Sequence, residues 1–170
     1  MVYQNDSSTS QSRAILLNMQ TREYANSGAV NADMLENAIR TCAALFEQTA
    51  GEGIPLRFLA NTPQAISTEE AWGEGCLHSL LELLARLPLE SGEHFPFYLN
   101  ALYDNLNATD IILVTCYLDD AILRFARDKT DAGIPVRLYV LDPDALPAAA
   151  GDLDVFVVRA QAAQKGGAAS

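Results

Sequence analysis

The chain has 170 residues, 49% of them apolar and 19% charged, which is enough to bury one core and argues against disorder. Asp and Glu number 22 against 11 Lys and Arg, a formal net charge of −11. That balance disfavours electrostatic capture of nucleic acid or of an anionic membrane surface, both of which need a basic footprint.

The start, Met-Val-Tyr-Gln-Asn-Asp, has neither a basic opening nor an apolar run, so it does not read as a secretion signal. No stretch approaches the ~20 apolar residues of a membrane-spanning helix. Cys42, Cys76 and Cys116 are an odd count without close pairing, which reads as reduced thiols in the cytoplasm rather than a disulfide frame.

Residues 1–12 are expected to form a flexible lead-in, 13–160 the domain, and 161–170 a disordered tail. Ala14 to Asn18 (AILLN) is a continuous apolar run, as in a strand covered on both faces. Asn31 is placed to cap a helix whose buried stripe is Leu35, Ala38, Ile39, Cys42, Leu45 and Phe46, closed by Gly51 and Gly53. Pro55 to Ala60 is a second strand. Asn61-Thr62-Pro63 is a turn that returns a brief antiparallel edge at Ala65 to Ser67.

Glu69-Glu70 reads as the acidic first turn of a short helix. Leu77, Leu80, Leu81, Leu84 and Leu87 form the next helical stripe, stopped by Pro88. Pro96 opens a third helix bearing Leu99, Leu102 and Leu106. Ile111 to Cys116 (IILVTC) is the most hydrophobic strand. Asp119 or Asp120 caps the helix carrying Ile122, Phe125 and Ala126. Val136 to Leu141, closed by Asp142-Pro143-Asp144, and Val155 to Val158 complete the strands. Gly53-Ile54-Pro55 and Gly133-Ile134-Pro135 both sit where a helix hands over to a strand, one local solution used twice.

Alternation of apolar strands with amphipathic helices implies a doubly wound α/β domain, a mostly parallel sheet with helices on both faces. Ligands of such sheets bind beyond the carboxyl ends of the strands, at the switch in strand order. The residues to interrogate there are Asn18, Gln20, Thr21 and Arg22 after the first strand, and Cys116, Tyr117, Asp119 and Asp120 after IILVT.

The first turn has no glycine, which excludes the usual dinucleotide and phosphate loops. Cys116 lacks the arginine six positions on that cysteine phosphatases require, since Ile122 stands there, and a thiol ending a buried strand is most simply a small hydrophobe. Cys76, His78 and His94 lack the spacing of a zinc site. Trp72, between Ala71 and Gly73, is either a partner anchor or packing over a helix start.

The strings Ile15-Leu16-Leu17-Asn18-Met19-Gln20-Thr21, Leu80 to Leu87 (LLELLARL) and Leu113 to Asp120 (LVTCYLDD) resemble a bacterial family, domain of unknown function 58, associated with MoxR-type ATPases. Its core is similar to a von Willebrand factor A domain, and the resemblance spans most of residues 13 to 142. It implies a six-stranded sheet of order 3-2-1-4-5-6 with a short antiparallel edge strand. Members often carry membrane segments, and this chain resembles the A-like module alone, the soluble part of a membrane-associated protein.

In such modules a metal-ion-dependent adhesion site begins with Asp-x-Ser-x-Ser after the first strand, and the matching positions here are Asn18, Gln20 and Arg22. The later aspartate falls on Cys116, and the threonine around Gly73 to Gly75. Loss of both carboxylates and gain of a guanidinium disfavour a dication, so no metal and no cofactor are expected. Arg22 is placed either to bridge to Asp119 or Asp120 or to face solvent.

The resulting expectation is a non-enzymatic interaction module with a degenerate metal site. It would dock a MoxR-type ATPase or another assembly partner through Asn18, Gln20, Arg22, Tyr24, Trp72, Cys116, Tyr117 and Asp119. The alternatives are a small hydrolase or transferase using Cys116 or Asp119, and a purely structural subunit.

Overall fold

The computed structural model describes residues 10–22, 30–141 and 150–159. Strand β1 (Arg13–Leu17) is buried at every position. Its alternate side chains divide the protein into two cores. Ala14 and Leu16 enter one, Ile15 and Leu17 the other.

Helix α1 (Ala32–Gly51) starts as expected, with Asn31 accepting the Met34 N–H at 3.3 Å. Leu35, Ala38, Cys42, Leu45 and Phe46 are buried and Ile39 half-buried. The helix closes through Gly53 at φ +70°, where Gly53 N–H reaches the Ala50 carbonyl and Ile54 N–H the Thr49 carbonyl. Gly133 (φ +87°) repeats this closure, with Gly133 N–H on Thr130 and Ile134 N–H on Lys129. An L side chain at those φ values is strained, so glycine is the residue that lets each helix turn into its strand.

Strand β2 (Leu56–Ala60) is followed by β3 (Ile66–Ser67), antiparallel to it through Ala60–Ile66 and Leu59–Ser67. The expected helix at Glu69-Glu70 does not form. Leu56 and Ala71 exchange backbone hydrogen bonds at 2.8 and 3.1 Å, so the segment continues along β2 as an extended edge. From Leu59 to Leu56 the edge runs from Ser67 to Ala71, one residue longer, and the glutamates occupy that bulge. Pairing to β2 overrides an acidic local signal.

Helix α2 (Glu74–Ala85) ends before Pro88 and packs mainly on α1, burying Leu80 and Leu84 and leaving Leu77 and Leu81 half-buried. Helix α3 (Phe95–Leu102) has Pro96 in its first turn and stops short of Leu106, which is buried from the following loop. Strand β4 (Asp110–Thr115) leads to α4 (Asp120–Asp131), capped by Asp119, whose Oδ1 accepts the Ile122 N–H at 2.8 Å. Strands β5 (Val136–Val140) and β6 (Asp154–Val157) follow.

The sheet order is β3-β2-β1-β4-β5-β6, with every pair parallel except β2–β3. Helices α1 and α2 cover one face, α3 and α4 the other. The turn Asp142-Pro143-Asp144, most of the lead-in and the tail lie outside the described residues. Among the described residues no helix is long and apolar enough to cross a membrane.

Candidate functional site

Strands β1 and β4 are neighbours at the centre of the sheet. The chain leaves β1 toward α1 on one face and leaves β4 toward α4 on the other. Their carboxyl ends therefore frame the crevice where doubly wound sheets place ligands. Here the crevice is closed by amide side chains.

Asn18 is fully buried just past β1 and extends the ladder by donating its N–H to the Val114 carbonyl at 2.9 Å. Its Nδ2 donates to Thr115 Oγ1 at 3.1 Å, and its Oδ1 accepts the Gln20 N–H at 3.0 Å. Thr115 Oγ1 in turn donates to the Tyr117 carbonyl at 2.8 Å. Gln20, equally buried, accepts the Phe95 N–H on its Oε1 at 2.7 Å.

Asn61, at the end of β2, completes the closure. Its Oδ1 accepts the Met19 N–H at 2.7 Å and its Nδ2 donates to the Glu93 carbonyl at 3.0 Å. Its own carbonyl accepts the Gly92 N–H at 2.7 Å. The loop Ser91–Phe95 is thereby drawn down over β1 and β2. Contact is so close at Gly92 that an added Cβ would stand 2.6 Å from the Thr62 carbonyl carbon.

The expected site residues fare differently. Asn18, Gln20, Cys116 and Tyr117, expected to face a partner, are buried at 0, 1, 0 and 5% exposure. Cys116 belongs to the α1–α2 core and Tyr117 to the α3–α4 core, because the chain past β4 keeps the strand's inside-out alternation. Asp119 caps α4. Arg22 is exposed and, among the described residues, forms no ion pair with Asp119 or Asp120. Tyr24 lies outside the described residues.

Trp72 is exposed but stands at the opposite end of the sheet. It follows Ala71, which pairs with Leu56, itself opposite Arg13 at the start of β1. Gly73 and Gly75 begin α2 at that same amino edge. The segment meeting Gln20 and Asn61 is Ser91–Phe95, which sequence reasoning missed together with Asn61 and Thr115. A glycine between Pro88 and Pro96 was the available signal. Phe97 was missed as well: in the first turn of α3, it is 64% exposed, with its ring edge-on to His94 at 5.9 Å.

The donor set bears on a metal ion. The three positions matching the adhesion-site string carry two neutral amides and one exposed guanidinium, and both amide oxygens already accept backbone N–H groups. Hard dications take several oxygens, carboxylates foremost. Among the described residues no group of three His, Cys, Asp or Glu side chains is placed to hold a metal ion. Cys76 is half-buried, and His78 pairs with Glu82 at 3.3 Å on the outside of α2.

No family model and no curated protein matches the chain. Solved structures do. BatB from Bacteroides thetaiotaomicron superposes with a TM-score of 0.53 at 13% identity, covering 77% of this chain and 66% of that one. An aerotolerance-related membrane protein from Bacteroides fragilis gives 0.54 at 13% identity, with coverage of 76% and 67%. Proximal thread matrix protein 1 from the mussel byssus, in a form with a zinc-occupied metal-ion-dependent adhesion site, gives 0.59 at 9% identity, with coverage of 88% and 44%. At these identities the likeness establishes the fold, which is von Willebrand A-like. The chain spans about two thirds of the two bacterial structures and less than half of the byssus protein.

Proposed function

We propose that this chain is a non-catalytic protein-interaction module in which the adhesion-site metal position has become a hydrogen-bonded structural plug. The observation that carries this reading is the double commitment of Asn18 and Gln20. Each amide oxygen, where a metal ligand would stand, is held by a backbone N–H of the chain itself. A plug of this kind makes the carboxyl edge a fixed surface for contact rather than a cavity for coordination.

Two exposed groups adjoin the plug along the chain, Arg22 two residues past Gln20 and Phe97 two past Phe95, a cation and an aromatic ring of the kinds enriched at protein interfaces. The resemblance implies as partner a MoxR-type ATPase or another component of a membrane-associated assembly, and the odd cysteine count suits a cytoplasmic place. The competing enzymatic reading is poorly supported. Its thiol, Cys116, is fully buried, and its carboxylate, Asp119, holds the start of α4.

Binding of a purified MoxR-type ATPase from the same organism to the immobilised chain is the test. Arg22→Glu and Phe97→Ala should each weaken it at least about tenfold. Calorimetric titration with millimolar Mg²⁺ should give no binding heat. Affinity indifferent to both substitutions, or a saturable Mg²⁺ signal abolished by Asn18→Ala, would overturn the reading.

A further inference from the structure

Helix α1 covers β1, β2 and β4. Beyond β4 a groove of about 410 Å³ opens between α1 and the outer strands β5 and β6, within the range of ligand sites. Asn37, Arg40 and Gln48 of α1 line it together with Tyr139 of β5 and with Val158 and Arg159, which follow β6. Tyr139 stacks on Phe156, ring centroids 5.0 Å apart, and Phe156 is 45% exposed.

The groove adjoins an open strand edge. Among the described residues β6 pairs with β5 alone. Val158 N–H donates inward to the Val140 carbonyl at 2.8 Å. Because backbone groups alternate sides along a strand, the N–H and C=O of Val155, Val157 and Arg159 point outward. Neither Arg40 nor Arg159 forms an ion pair with a described residue, in a chain whose net charge is −11.

We propose that this groove and edge together bind an extended acidic segment of a partner protein, which adds to the sheet as a strand beside β6. Its backbone pairs with the outward groups of Val155, Val157 and Arg159. Its carboxylates meet Arg40 and Arg159 in charge-assisted hydrogen bonds, and its apolar side chains rest on Phe156 and Val158. Charge selects this occupant over two others. Residues 160–170 carry Lys165 and no Asp or Glu, so the chain's own end lacks the groups the arginines call for. A second copy would bring two strongly acidic chains together.

The test uses the full chain and a fluorescein-labelled peptide of alternating Glu and Val, with a Lys-Val peptide of equal length as the reversed-charge probe. The Glu-Val peptide should bind, more weakly at high salt, and the Lys-Val peptide should not. The double substitution Arg40→Glu/Arg159→Glu, at two exposed positions, should reduce affinity at least about tenfold. Val157→Pro should do the same, since it removes an outward N–H that β5 does not use. Arg22→Glu and Phe97→Ala should leave peptide binding unchanged, which separates this site from the carboxyl edge.

Equal binding of both peptides, no binding of either, or indifference to the arginine substitutions would overturn the proposal. So would slow amide exchange at Val155, Val157 and Arg159 in the free chain. Protection independent of concentration would assign the edge to the chain's own residues, and protection that grows with concentration to a second copy.

Discussion

Asn18 Nδ2 donates to Thr115 Oγ1 at 3.1 Å, joining the carboxyl ends of the two central strands by a side-chain bond. The direction is fixed, because the Thr115 hydroxyl already donates to the Tyr117 carbonyl and offers Asn18 only lone pairs. An aspartate at this position, the residue of a metal-binding A domain, would set an acceptor against an acceptor in a site closed to water.

Asn18→Asp should therefore destabilise the fold by about 1–3 kcal/mol at neutral pH, measured by urea unfolding. Burial beside an acceptor raises the pKa of an introduced carboxyl, and its protonated form can donate to Thr115. The penalty relative to the parent chain should shrink as pH falls. Added Mg²⁺ should not restore stability, since Gln20 and Arg22 supply no second anionic ligand.

Two glycines should respond with opposite signs to the same change. At Gly92 a methyl group would collide with Thr62 and Pro63 backbone atoms, which are held by the Asn61 hydrogen bonds and cannot yield. Gly92→Ala should cost about 1–3 kcal/mol and perturb the amide signals of Met19 and Phe95. Gly75, inside α2 with nothing within 4 Å of an added Cβ, should gain about 0.5–1 kcal/mol on becoming alanine. Thermal melts of the two variants would check the pair.

The sheet was legible in the sequence because its strands are covered on both faces, and the helices because their apolar spacing matches α-helical geometry. Asn31 and Asp119 were recognisable as caps for a local reason: each side chain bonds the backbone three residues on. The plug was not legible, since it joins residues far apart, Gln20 to Phe95 and Asn61 to Met19. No short window of sequence records that an amide will meet a distant N–H. Glu69-Glu70 failed as a helix start because β2, a non-local partner, claimed the segment. Trp72 was assigned to the wrong end of the sheet for the same reason, since its position depends on the bulged edge rather than on its neighbours.

Stability should decline in alkali for an identifiable reason. Burial pushes the Cys42 thiol well above its ordinary value of 9.0. Burial likewise raises the Tyr98 phenol from 10.0 to about 12, an effect that nearby Arg57 opposes and Glu93 reinforces. Both groups hold their protons longer in the folded chain than in the unfolded one. Stability is therefore lost as pH rises above 9.0 for Cys42, and between 10.0 and about 12 for Tyr98, at up to about 1.4 kcal/mol per pH unit for each group. Cys42→Ala should flatten the first part of that decline in urea unfolding curves, while lowering stability at neutral pH through the cavity it leaves.

At the amino edge, Arg13 should prove the most sensitive charged residue in the fold. It is 5% exposed, and its guanidinium donates to both carboxylate oxygens of Asp110 at 2.8 and 3.0 Å, to Thr49 Oγ1 at 3.0 Å and to Glu52 at 3.3 Å. Burial opposes its charge, but the bonds to Asp110 and the charges of Asp110 and Glu52 outweigh it, and the pKa is raised. One side chain thus ties β1 to β4 and to the last turn of α1. Arg13→Ala should cost about 2–3 kcal/mol in urea unfolding, as expected for charged hydrogen bonds lost from a buried site. Arg13→Lys should recover only part of that, because an ammonium cannot span both carboxylate oxygens in the planar fork. The loss should change little with added salt, whereas the small effect of removing the exposed Arg127–Asp152 pair at 3.0 Å should fade as salt is added.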